Sequence, residues 1–279
     1  MATHASNLDE RTVEGFGDEW SRFDQSHATP EELQRSFDNY FAVFPWQQLS
    51  AAARGIDVGC GSGRWAQLVA PRVGHLVCVD ASPSALEVAS RNLQRFSNIT
   101  LTNASVGNLP FEENTFDFGY SLGVLHHVPD TAAGLRNCVR LLKPGAPFLL
   151  YLYYALDNRP LWYQSLWQAS DLVRKVVSRL PHTAKHVVAD AIAAGVYWPL
   201  ARAAWAGEKL GADISSVPLA AYRHHSFYIM RNDALDRLGT PLEQRFSRVE
   251  IERMMIENGL CEVRFHDGVP FWCAVGFKK

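Results

Sequence analysis

Between Gly55 and Ala66 the chain reads Gly-Ile-Asp-Val-Gly-Cys-Gly-Ser-Gly-Arg-Trp-Ala, a short apolar strand running into a turn with glycine at every second position. Glycine at such a turn lets the backbone take positive φ and approach a ligand where a Cβ would otherwise stand. Asp80 follows Gly61 by 19 residues and ends a second apolar run, Leu76-Val77-Cys78-Val79. A carboxylate at that separation can accept both hydroxyls of a ribose. Few features constrain a fold as tightly: strand, tight turn, helix and strand must follow in order, with a nucleotide-like ligand across the carboxyl ends of parallel strands.

The surrounding pattern agrees. Short apolar runs at Ile56-Asp57-Val58, Leu76 to Val79, Ile99-Thr100-Leu101, Phe116 to Ser121 and Phe148 to Tyr153 read as five strands. Helical stretches separate them: one opens near Arg64, one is capped by Ser82-Pro83, and one runs from Asp130 to Leu142 before Lys143-Pro144-Gly145. Strands alternating with helices predict a doubly wound, mainly parallel α/β sheet. The first ordered signal upstream is Thr29-Pro30-Glu31-Glu32, a capping box, followed by an apolar stripe of Leu33, Phe37, Tyr40, Phe41 and Phe44. A second capping box, Ser247-Arg248-Val249-Glu250, starts a helix that stops at Gly259, and Glu262 to Phe265 with Phe271 to Phe277 reads as a terminal antiparallel hairpin, for seven strands in all.

Between Tyr154 and that last helix the alternation stops, and the sequence predicts two long helices, Pro160 to Leu180 and Thr183 to Leu210, with a loop. The expected division is residues 1–48 as an N-terminal helical segment, 49–154 as the ligand-binding core, 155–243 as a helical insertion placed to act as a lid, and 244–279 as the end of the core. Val187 to Ala206 is apolar except at Asp190, Tyr197 and Arg202, but two charges and Pro199 argue against a transmembrane helix. The insertion instead suits a greasy lid, a homodimer surface or a lipid-facing helix. Of eight Trp in the chain, Trp162, Trp167, Trp198 and Trp205 fall there, as expected of a cap that shapes an apolar or ring-bearing acceptor site or buries a partner's surface.

Composition removes other classes. A net charge of −2 argues against a nucleic-acid partner. Five cysteines without a CxxC pair predict reduced thiols in a cytoplasmic protein, and no metal site is expected, since His182 and His186 lack a Cys or acid at ligand spacing.

Gly61-Ser62-Gly63-Arg64-Trp65-Ala66 alone also fits a dinucleotide fingerprint, so a nicotinamide-dependent dehydrogenase is an alternative. The wider series decides: Asp57 to Gly63, Val79-Asp80-Ala81-Ser82, Asn108-Leu109-Pro110-Phe111, Leu125-His126-His127-Val128-Pro129-Asp130 and Leu141-Leu142-Lys143-Pro144-Gly145 closely resemble class I S-adenosylmethionine-dependent methyltransferases. Phe16 to Phe23 also resembles an element ahead of the core in some of them. The resemblance implies an enzyme that transfers a methyl group to a small or medium organic acceptor, here expected at oxygen. It implies that Asp57, Gly59, Cys60, Gly61 and Gly63 surround the methionine half of the cofactor, Asp80 the ribose, and Ala81 the adenine edge. Ser105 stands where the family commonly has an acid, beside Val106, and Ser121 and Leu122 would flank the sulfonium.

An activated methyl needs an aligned acceptor more than a catalytic nucleophile. His126 or His127, at the end of the fourth strand, is the candidate base for a hydroxyl acceptor, with a purely structural role as the competing reading. Tyr153, Tyr154, Tyr222, His224, His225 and Tyr228 are candidate acceptor contacts, and equally candidates for packing or loop anchoring. A non-catalytic binding subunit would be expected to show a degraded glycine turn, and this turn is intact.

Overall fold

The computed structural model describes residues 7–214 and 216–279. The chain divides into two compact units: one holds the residues through Gln25, Leu33–Ala155 and Leu242–Lys279, the other Ser26–Glu32 and Leu156–Pro241. Seven strands are β1 (Arg54–Val58), β2 (His75–Asp80), β3 (Ile99–Asn103), β4 (Phe118–Leu122), β5 (Pro147–Tyr151), β6 (Leu260–Phe265) and β7 (Ala274–Lys278). The helices are α1 (Glu10–Arg22), α2 (Pro30–Tyr40), α3 (Ala66–Val69), α4 (Pro83–Leu93), α5 (Thr131–Arg140), α6 (Leu161–Val177), α7 (His182–Ile192), α8 (Trp198–Lys209), α9 (Phe227–Gly239) and α10 (Arg248–Glu257).

The first unit is a single sheet in the order β3-β2-β1-β4-β5-β7-β6. The first five strands pair in parallel, while β7 lies antiparallel between β5 and β6. Chain order reverses between β1 and β4, so a crevice opens outside their carboxyl ends. Alternate residues serve the two faces. Ile56, Val58, Val77 and Val79 pack toward Leu135, Val139, Ile251 and Met255 of α5 and α10. Leu76, Cys78, Phe118 and Tyr120 pack toward Phe37, Phe41, Phe44, Ala89 and Leu93. Both faces are covered, which is why these strands read as unbroken apolar runs.

Two local expectations are corrected here. Thr29 is not the first ordered signal, because α1 precedes it, capped by Asp9 accepting the Thr12 N–H at 2.8 Å. The helix expected near Arg64 is a single turn from Ala66, since the glycine turn continues through Trp65 before α3 begins.

The second unit is helical, and it too departs from expectation. The long helix foreseen from Thr183 to Leu210 is interrupted at Ala193–Tyr197 by a wide π turn, next to Pro199, whose missing N–H cannot extend an α-helical ladder. A further helix, α9, occupies what was read as loop. Ser226 caps it, accepting the Ile229 N–H at 3.4 Å. Its Met230 and Ala234 pack against Ala193, Tyr197 and Ala201, and Arg231 holds Asp190 through two bonds of 2.9 Å. Ile229, Asn232, Leu235 and Leu238 are buried as well, so α9 is enclosed on several sides and shows no stripe by which sequence periodicity could reveal it. Among the described residues, no helix is long and apolar enough to cross a membrane.

Candidate functional site

At the end of β1 the backbone turns left-handed, with φ of +83° at Gly59 and +53° at Gly61. The Gly59 and Cys60 N–H groups both donate to the Val79 carbonyl, at 2.7 and 3.0 Å, tying the turn to β2. Asp80 accepts the Gly61 N–H on Oδ2 at 2.8 Å and the Ser82 N–H on Oδ1 at 2.9 Å. Burial raises its carboxyl from the usual carboxylate range, and the N–H groups of Ser82, Gly61 and Ala81 oppose that rise. A Cβ added at Gly61 would stand 2.9 Å from the Trp20 indole of α1, and one at Gly59 would stand 2.4 Å from Val124. The turn is packed on both sides, with no room for a side chain at either position.

That crevice is a cavity of about 930 Å³ of non-atom space, its mouth included. Its walls include Gly59, Cys60, Asp80, Ala81, Ser105, Val106 and Leu122, all singled out from sequence. Asp57, Gly61, Gly63 and Ser121 are not among its lining residues. Ser121 is fully buried and donates to the Val58 carbonyl at 2.9 Å, joining β4 to β1. Asp57 is buried behind the turn. Loss of water raises its carboxyl to about 8, against the lowering effect of the Tyr120 hydroxyl and with a smaller push from Asp80. The Cys60 thiol beside Cys78 is pushed well above its ordinary value, first by that contact and then by burial. It presents a neutral surface rather than a nucleophile.

Helix α1 forms one wall, through Thr12, Phe16 and Trp20, and the side chain of Asn7 pins this segment to the α5 N-terminus by donating to the Asp130 carbonyl at 2.8 Å and accepting its N–H at 2.9 Å. Among the lining residues, Thr12 Oγ1, Ser62 Oγ and Arg64 Nε are buried polar atoms with no hydrogen-bond partner among the described residues. Each such atom costs about 1–3 kcal/mol until a polar ligand meets it. An adenosine-bearing ligand with an amino-acid tail fits this set, since Asp80 can accept hydroxyls while Arg64, Ser62 and Thr12 offer donors to a carboxylate. Sequence reasoning missed Thr12 and Arg64. The signals available were the family-like element at Phe16 to Phe23, just after Thr12 in the chain, and the position of Arg64 directly after Gly63.

The two adjacent histidines separate in the structure. His127 lines the cavity, and its Nδ1 lies 2.7 Å from the Leu242 carbonyl. A carbonyl only accepts, so Nδ1 carries the proton and the basic lone pair is on Nε2. The Phe16 ring meets the imidazole edge-on at 5.0 Å. His126 is fully buried, stacked on Tyr153 at 3.9 Å, and accepts the Tyr153 N–H at Nδ1 at 3.4 Å. Burial holds it well below the usual imidazole range, with the neighbouring His127 and Arg245 adding to the effect, so it stays neutral. The Arg245 guanidinium covers Tyr153 at 5.1 Å, and Tyr154 packs on Phe271 at 5.4 Å. Neither tyrosine is among the lining residues.

The remaining candidates lie in the helical unit and are engaged within it. Tyr222 meets Tyr197 edge-on at 5.3 Å, His224 Nε2 is 3.0 Å from Glu208, His225 is 3.9 Å from Glu32, and Tyr228 tilts on His27 at 5.5 Å.

The sheet order, the glycine turn with its acid and the cavity outside β1 and β4 have the arrangement of a Rossmann-like core, and the family match within it is to a methyltransferase domain. Residues 56–150 match the methyltransferase domain family. A demethylmenaquinone methyltransferase of Staphylococcus saprophyticus is 30% identical over 147 residues, covering 47% of this chain and 63% of the relative. A ubiquinone biosynthesis O-methyltransferase of Xanthomonas oryzae is 29% identical over 143 residues, covering 50% and 59%. The chain thus spans less than two thirds of the length of these relatives. A methyltransferase solved with the Haloferax volcanii Trm112 activator is similar in fold, with a TM-score of 0.54 at 13% identity over 94% of this chain and 97% of that one.

Proposed function

We propose that the protein methylates a hydroxyl of a small or medium, ring-bearing organic acceptor. The observation that carries this reading is His127, whose Nδ1–H is committed to Leu242 and whose Nε2 is thereby the basic nitrogen of a residue lining the cavity. S-adenosylmethionine supplies, when bound, a methyl group already activated on a sulfonium. Asp80 accepts the ribose hydroxyls while keeping Gly61 and Ser82 in place. Ala81, Ser105 and Val106 take the adenine edge, and Arg64, Ser62 and Thr12 take the carboxylate. Leu122 and the Cys60 thiol give an apolar surface to the reacting end. His127 accepts the acceptor's hydroxyl proton at Nε2, and the Leu242 carbonyl stabilises the imidazolium at Nδ1. A quinone-type phenol is the acceptor class suggested by the relatives' names, and it suits the aromatic residues nearby.

The test is transfer of labelled methyl from S-adenosylmethionine to a panel of phenols, amines and thiols, with the product's methylated atom located by NMR. A labelled aryl methyl ether that disappears in His127→Gln supports the proposal. Products labelled only at nitrogen, carbon or sulfur refute it.

A further inference from the structure

Helix α6 buries Arg174 and Val177 and leaves most of its large apolar side chains exposed. Its inward side carries polar groups: Gln164 donates to the Leu156 and Arg159 carbonyls, Asp171 pairs with Arg174 at 2.7 Å, and Arg174 also donates to the Thr240 and Pro241 carbonyls. Its outward side carries Leu161, Trp162, Leu166, Leu172, Val173 and Val176, with Leu161 80% and Leu172 and Val176 each 65% exposed. These recur three, four and seven positions apart, so they form one apolar stripe along the helix. An exposed stripe of this size marks an interaction surface.

The charges beside it have one sign. The one charged residue exposed on α6 is Lys175, and Arg179 follows just past the helix end. Asp171 is turned inward against Arg174 and Lys175. Residues 156–241 hold ten Lys and Arg against seven Asp and Glu, whereas the whole chain has 27 against 29. Helix α8 pairs exposed aromatics with cations: Arg202 lies over Trp198 at 4.4 Å and Lys209 over Trp205 at 5.9 Å, both rings more than 40% exposed.

We infer that the outward face of α6 docks on an anionic lipid surface, lying in the interface rather than crossing it. Leu, Val and Trp side chains enter the boundary of the acyl layer while Lys175 and Arg179 meet lipid phosphates. A second copy of the chain is the poorer occupant, because this face exposes no anion to meet those cations. The inference concerns the helical unit alone and is independent of the proposed methyl transfer.

Vesicle co-sedimentation of the full chain tests it, using phosphatidylcholine with and without phosphatidylglycerol. Binding is expected only to the vesicles containing phosphatidylglycerol, lost at high salt and accompanied by a blue shift of tryptophan fluorescence. Lys175→Ala and Arg179→Ala should each weaken it roughly fivefold. Leu172→Ser with Val176→Ser should weaken it by tenfold or more, at an unchanged melting temperature because both side chains are exposed. Failure to bind either vesicle, or equal binding to both, overturns the inference. So does a concentration-dependent dimer in sedimentation velocity that the Leu172→Ser, Val176→Ser protein loses, which would give the face to a second copy.

Discussion

Replacing Asp80 by Asn separates cofactor binding from folding. The carboxylate holds the Gly61 and Ser82 N–H groups at 2.8 and 2.9 Å, one on each oxygen. An amide keeps one acceptor and turns a donor toward the other N–H, which costs about 1–3 kcal/mol. Against that, the ionised carboxyl is itself disfavoured by burial, and the neutral amide escapes this penalty. The net change in stability is therefore small, a few degrees in melting temperature at about 2–4 °C per kcal/mol. Binding has no such offset. Ribose hydroxyls donating to a charged acceptor contribute about 1.5–3 kcal/mol each, so losing one such bond weakens affinity by roughly 10- to 150-fold. Calorimetric titration with S-adenosylhomocysteine, alongside thermal melts, reads both quantities. An affinity within twofold of the parent protein, at the same melting temperature, would remove Asp80 from the cofactor site.

Three further outcomes follow from the same geometry. Asp57 has a folded-state value of about 8 against 3.8 for an ordinary Asp, so between those values the folded protein holds a proton that the unfolded chain has released, and stability falls as pH rises, by up to about 1.4 kcal/mol per unit. Asp57→Asn removes that slope, and its melting-temperature advantage should grow from pH 5 to pH 8; parallel pH profiles would contradict the assignment. Gly59→Ala imposes a left-handed alanine and a contact with Val124, together costing about 2–5 kcal/mol, seen as a clear drop in melting temperature. His127→Gln should lower kcat roughly 100- to 10,000-fold with the affinity for S-adenosylhomocysteine nearly unchanged, whereas a structural role would show as lost stability without that kinetic signature.

The core was legible because its signals are local. The turn at Gly59 to Gly63 and the acid at Asp80 declare their chemistry through spacing, and strands buried on both faces leave continuous apolar runs. Where a motif residue stands relative to the cavity is less legible. Asp57, Gly61 and Ser121 share the family-like motifs with Gly59 and Asp80 but do not line the cavity: Asp57 is buried, the Gly61 N–H donates to Asp80 and Ser121 donates to the Val58 carbonyl, placements that only folding creates. A helical N-terminal segment was expected, but the role of α1 as a wall was not legible, because it depends on Trp20 meeting Gly61, residues 41 positions apart that no periodicity links. The dense aromatic run from Tyr222 to Tyr228 stood out by composition alone, and folding sets its rings and imidazoles against Tyr197, Glu208, Glu32 and His27, contacts that no spacing in the sequence announces. The pair His126 and His127 was visible; that one is sealed on Tyr153 and the other opens on the cavity was not.

The central claim is that this cavity takes S-adenosylmethionine. Parallel calorimetric titrations of the protein with S-adenosylhomocysteine and with NADH test it most directly. Saturable, equimolar binding of S-adenosylhomocysteine with no heat from NADH is the predicted result, and binding of NADH alone would contradict the account.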